Sequence, residues 1–137
     1  MTIHIGVTGT RAGCTTWQLS DLLDTLREYT CANDTHGVAL HFGDCIGVDY
    51  QAFHLAKALK FTTVAHPPAD PTRRAFCDAD VIKAEKPYMH RNADIVAVVS
   101  ELIVVPSGPE ADNPRSGTWA TYRMAVKAGV ETVVIEP

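Results

Sequence analysis

Five short apolar runs alternate with longer stretches whose apolar residues recur at helical spacing. That alternation narrows the fold more than any other feature of the chain. The runs cover residues 3–9, 38–42, 62–66, 102–105 and 132–135, and Val, Ile and Thr dominate them. Between the first two, Trp17, Leu19, Leu22, Leu23, Leu26 and Tyr29 predict a helix with Thr15 or Thr16 as N-cap, broken at residues 33–37. Val48, Ala52, Leu55, Ala56 and Leu59 predict a second. Met89, Ile95, Val96 and Val99 give a third after Pro87, and residues 118–128 a fourth, with Gly129 as its C-cap. The polar segment 69–86 predicts a loop carrying a short helix. Strands that alternate with helices form a parallel sheet covered on both faces. The expected fold is therefore α/β: one three-layer domain over residues 1–137, with a mostly parallel sheet of about five strands.

Folds of this class bind ligands outside the carboxyl ends of their strands. Gly9-Thr10-Arg11-Ala12-Gly13 follows the first run, and Gly43-Asp44-Cys45-Ile46-Gly47-Val48-Asp49 the second. Pro106-Ser107-Gly108 follows the fourth, and Arg115-Ser116-Gly117-Thr118 opens the next helix. Such turns and helix starts present backbone N–H groups to anions. Arg11, Arg73, Arg74, Arg91 and Arg115 lie in or beside these connections, whereas Arg27, Lys57, Lys60, Arg123 and Lys127 fall on helix bodies or ends. Guanidinium groups gathered at one sheet edge point to a phosphorylated small molecule.

Charge limits the partners. Twelve Lys+Arg against 16 Asp+Glu leave −4, which excludes a generally basic nucleic-acid coat. No apolar run approaches the roughly 20 residues of a membrane helix, so no membrane partner is expected. Residues 1–6 read straight into the first strand, and we expect a soluble, cytoplasmic protein. Cys14, Cys31, Cys45 and Cys77 form no C-x-x-C pair, so reduced thiols are expected and neither a metal nor a cofactor is. Cys14 and Cys45 lie near helix starts, a setting that lowers a thiol pKa, but no accompanying base is evident and a buried free cysteine is the commoner case. His41, within a strand, reads as a core histidine.

Gly9-Thr10-Arg11, Gly43-Asp44-x-x-Gly47-Val48-Asp49-x-x-Ala52, His90-Arg91-Asn92 and Arg115-Ser116-Gly117-Thr118 stand in the order found in the SLOG superfamily. The chain resembles that superfamily over essentially its whole length. The group joins DprA/Smf-type DNA-processing proteins, LOG-type phosphoribohydrolases and small nucleotide-sensor domains. The resemblance implies a Rossmann-like fold and a nucleotide or nucleotide-derived phosphorylated ligand. Gly9, Thr10 and Arg11 would meet phosphate or ribose, and Gly43 and Asp44 would line the second turn. Asp49 would cap or orient that loop. Arg91 and Asn92 would reach the same cleft, with Ser107 and Gly108 beside it. Arg115, Ser116, Gly117 and Thr118 would bind phosphate. Read alone, Asp49 is equally an N-cap, Gly43 and Gly47 equally turn glycines, and Trp119 a core residue rather than a base-stacking one. The resemblance also implies a homodimer.

Two departures shape the expected function. LOG-type enzymes carry P-G-G-x-G-T-x-x-E, and Thr121 occupies the position of that glutamate. A threonine does not replace a carboxylate that stabilises an oxocarbenium-like centre or handles a proton. A binding or sensing module is therefore the first reading. The alternative is an N-glycosidase with a relocated carboxylate, Asp44, Glu110 or Asp112. A DprA-like binder of single-stranded DNA is the third reading, although such binding needs a basic groove with stacking aromatics and only 7% of residues here are aromatic.

Overall fold

A computed structural model of the chain describes residues 1–32 and 37–137, without the side chains of Cys31 and Ala32. The predicted helix break at 33–36 lies outside the described residues. The elements run β1 (Thr2–Gly9), α1 (Thr16–Ala32), β2 (Gly37–Phe42), α2 (Val48–Ala58), β3 (Thr62–Ala65), β4 (Val81–Ile82), α3 (Tyr88–Val98), β5 (Glu101–Val105), α4 (Gly117–Lys127) and β6 (Glu131–Val134). Single 3-10 turns form at Pro71–Arg73 and Glu110–Asp112.

All six strands are parallel, in the order β4-β3-β2-β1-β5-β6. Five of them are the runs read from the sequence. The sixth, β4, has two residues, both exposed, which is too short for any alternation to show. Alternation in β5 divides the interior. Ile103 and Val105 join Leu22, Leu26, Val48 and Ala52 in the core beneath α1 and α2. Leu102 and Val104 join Ile95, Val96, Val99 and Ala125 beneath α3 and α4.

The buried stripe of α1 differs from the one expected. Gln18, Leu22 and Leu26 form it at four-residue spacing, while Trp17 is 78% exposed and Leu19 also faces outward. A polar residue takes an interior place because every polar atom of its side chain is used. Thr15 is the N-cap: its Oγ1 accepts from the Gln18 amide, and Gln18 Oε1 accepts from the Thr15 amide. Gln18 Nε2 then donates to the Pro106 and Ile135 carbonyls at 2.7 and 3.0 Å. One side chain thus ties the start of α1 to the ends of two strands.

On the sheet face away from that core, His4, His41 and His66 form a row. His4 Nδ1 lies 2.9 Å from His41 Nε2, and His41 Nδ1 lies 2.9 Å from His66 Nε2. Burial holds His41 and His66 well below the usual 6.5, at about 4, so both are neutral at pH 7.

Candidate functional site

Strand order reverses between β1 and β5: the chain passes from β1 outward to β2, β3 and β4, then returns to β5 on the other side. The turns after these two strands diverge there, leaving a crevice at the carboxyl edge. A cleft of about 440 Å³ occupies it. Gly9, Thr10 and Arg11 line it from the turn after β1, Gly43 and Cys45 from the turn after β2, Asp49 from the first turn of α2, and Ser107 from the segment after β5. Helix starts close the remaining sides, with Tyr88, Arg91 and Asn92 from α3 and Ser116, Gly117, Thr118 and Thr121 from α4.

Eleven of the expected site residues meet in this cleft and three stand outside it. Asp44 is fully buried beneath the turn, accepting from the Cys77 amide and from Arg74 Nε, each at 2.9 Å. It braces the second turn against the segment that follows β3. The Gly108 carbonyl accepts from Trp119 Nε1 at 3.1 Å, and Trp119 packs edge-on against Tyr122 in the interior. Arg115 is exposed on the loop before α4.

The glycines have different physical reasons. A Cβ on Gly9 would overlap Val48, so this glycine lets β1 run close against the start of α2. Gly47 has φ +88°, and a Cβ there would press on the Thr10 and Arg11 carbonyls. Both serve the fold. At Gly43 a Cβ would overlap the Arg91 guanidinium and crowd the Asp49 carboxylate. Gly117 is the exception: it begins α4, it faces the cleft, and a Cβ there would meet nothing within 4 Å.

Arg91 is buried and mostly committed to the protein. Nη1 donates to the Gly43 and His66 carbonyls, Nε to Asn92 Oδ1 at 2.6 Å, and Nη2 to Cys45 Sγ at 3.7 Å. It clamps the ends of β2 and β3, and one N–H of its five has no partner among the described residues. Beside it, Asp49 Oδ2 accepts from the Cys45 amide at 3.2 Å. Asp49 orients the loop; no side chain caps α2. Burial raises its pKa to about 6, against the opposing pull of Arg91. Burial also raises the Cys14 and Cys45 thiols, and it pushes Cys77 up to about 12. Cys45 and Cys77 are buried free cysteines and Cys14 a half-buried one, in line with the commoner of the two readings the sequence offered.

Two features leave hydrogen-bond and charge capacity at the mouth. Arg11 is exposed and forms no ion pair among the described residues, resting instead over the Tyr88 ring at 4.9 Å. At the start of α4, Ser116 Oγ accepts from the Trp119 amide at 3.1 Å. The Gly117 and Thr118 amides have no acceptor among the described residues. Unsatisfied amides at a helix start favour an anion.

No protein-family model matches the chain. No curated protein matches it in sequence. Solved structures do match in shape. A molybdenum cofactor binding protein from the phototrophic bacterium Rippkaea orientalis superimposes with a TM-score of 0.74 at 18% identity, covering 100% of this chain and 78% of that one. The Moco carrier protein of Chlamydomonas reinhardtii gives 0.73 at 25% identity, with the same coverage. DNA processing protein A (DprA) of Streptococcus pneumoniae gives 0.70 at 18% identity, covering 97% of this chain and half of that one. The chain has the SLOG-type Rossmann-like fold.

Within the SLOG-type fold, the position of the LOG glutamate holds a buried hydroxyl: Thr121 Oγ1 donates to the Gly117 carbonyl at 2.8 Å. Glu110 is paired with Arg123 at 2.5 Å, and neither it nor Asp112 lines the cleft. The lining residue that sequence reading missed with most consequence is Tyr88. The signal for it was present, because Tyr88, Arg91 and Asn92 stand at helical i, i+3 and i+4 and so share one face of α3.

Proposed function

We propose that this protein binds a small phosphorylated ligand carrying a planar heterocycle, as a carrier or sensing module and without turnover. The phosphate meets the Gly117 and Thr118 amides and the Arg11 guanidinium, and the heterocycle lies toward Tyr88 and Arg91. Gly117 is the observation that carries this reading. The fold has no use for a glycine there, since a Cβ would be unopposed, yet its backbone faces the cleft beside two amides without acceptors. Close approach of a ligand to the backbone explains both facts.

The neighbours support a ligand of this kind. Two are named for the molybdenum cofactor, a phosphorylated pterin, and the sequence pattern points to a nucleotide. Pterin and guanine share the 2-amino-4-oxopyrimidine ring, so GMP is a chemical stand-in for either. The cleft volume is that of a small-molecule site. The absence of a carboxylate at position 121 supports binding over glycosidic cleavage.

Thermal unfolding against inorganic phosphate, ribose 5-phosphate, AMP, GMP, molybdenum cofactor and oligo-dT tests the proposal. A ligand at a hundred times its dissociation constant adds about 2.7 kcal/mol, or several degrees for a domain of this size. We expect a shift with at least one phosphorylated heterocycle, lost in Arg11→Ala. A shift with oligo-dT alone replaces the proposal with single-strand binding, and no shift at all refutes it.

A further inference from the structure

Tyr88 stands at the start of α3, with its ring in the cleft wall and both cleft arginines over that ring. The Arg11 and Arg91 guanidinium carbons lie 4.9 and 5.4 Å from the ring centroid. Its hydroxyl is buried and makes no hydrogen bond, the one such buried side-chain atom among the described residues. These facts conflict with a purely structural tyrosine. A buried hydroxyl without a partner is unfavourable, and phenylalanine would give the same ring contacts without that penalty. Buried tyrosine hydroxyls ordinarily find partners. Here none of the neighbouring protein groups supplies one.

We propose that Tyr88 is a specificity residue that reads the heterocycle of the ligand. This rests on the phosphorylated-ligand reading above and adds to it the part of the ligand that is recognised. The Arg11–Tyr88 contact joins the turn after β1 to the start of α3 across the cleft. A phosphate competes with the ring for Arg11, because a charge-assisted hydrogen bond outweighs an exposed cation–π contact. Drawing Arg11 to the phosphate frees the Tyr88 ring to stack on a planar heterocycle. A small turn about its two side-chain torsions gives the hydroxyl a ligand acceptor or donor. The ring then contributes stacking and the hydroxyl contributes discrimination. A ligand with phosphate and sugar but no base gains neither.

Calorimetric titration of wild type, Tyr88→Phe and Tyr88→Leu with GMP and with ribose 5-phosphate tests this, together with thermal unfolding of the three ligand-free proteins. GMP is expected to bind wild type more tightly than ribose 5-phosphate does. Tyr88→Phe should weaken GMP about tenfold, leave ribose 5-phosphate unchanged, and unfold at a midpoint no lower than wild type. Tyr88→Leu should bring GMP down to the level of ribose 5-phosphate. The pairing of weaker binding with undiminished stability is what a merely structural tyrosine would not give. Equal GMP affinity in all three proteins overturns the proposal, as does GMP binding wild type no better than ribose 5-phosphate; in both cases the cleft reading stands. If wild type binds neither compound, the cleft reading itself fails for nucleotide-like ligands and the role of Tyr88 falls with it.

Discussion

Arg91 stands where a side chain on residue 43 would have to go: a Cβ on Gly43 overlaps its guanidinium. The guanidinium in turn holds the carbonyls of Gly43 and His66 at the ends of neighbouring strands. Gly43→Ala therefore displaces the clamp and leaves buried polar groups unpaired. We expect a loss of about 1–3 kcal/mol, measured by urea unfolding.

Gln18 fills an interior position by bonding with all of its polar atoms. Gln18→Ala removes the Oε1 half of the reciprocal cap with Thr15 and strands the Pro106 and Ile135 carbonyls. A loss of about 2–4 kcal/mol is expected. Trp17→Ala, one residue away on the exposed side, should stay within about 0.5 kcal/mol.

The histidine row makes stability depend on pH. His41 and His66 titrate at about 4 in the fold against the usual 6.5, so the unfolded chain binds more protons between those values. Their contribution is whole above pH 6.5 and is lost as pH falls through 4. Asp49 acts in the opposite sense: at about 6, against the usual 3.8, its contribution is present in acid and fades as pH rises through 6. Two histidines outweigh one aspartate. Unfolding free energy should fall by about 1–3 kcal/mol from pH 7 to 4.5. Denaturant titrations across that range should show a shallower fall in His41→Gln and a steeper one in Asp49→Asn.

Much of this fold was legible in the sequence because its physics is local. The five runs that alternate or are rich in β-branched residues became strands, and the turns at 9–11, 43–49 and 115–118 converge on one cleft, with Asp44 and Arg115 outside it. What escaped depended on tertiary context. Two exposed residues make β4, and no pattern marks so short an edge. Trp17 looked like a core residue because hydrophobicity says nothing about which of two adjacent stripes faces the sheet. Asp44 follows Gly43 in the cleft turn, yet its carboxylate turns inward to Arg74 and the Cys77 amide. Tyr88 carried no motif of its own; its helical register with Arg91 and Asn92 was the signal in the sequence, and its unpartnered hydroxyl sets it apart in the fold.

The central claim is that a phosphorylated ligand sits against the backbone at the start of α4, and Gly117→Val tests it most directly. A Cβ there meets no neighbouring part of the fold within 4 Å, so the ligand-free variant should unfold within about 1 kcal/mol of wild type. Titrated with the phosphorylated heterocycle that stabilises wild type most, the variant should lose at least tenfold in affinity. Wild-type affinity in a well-folded Gly117→Val protein would contradict the account.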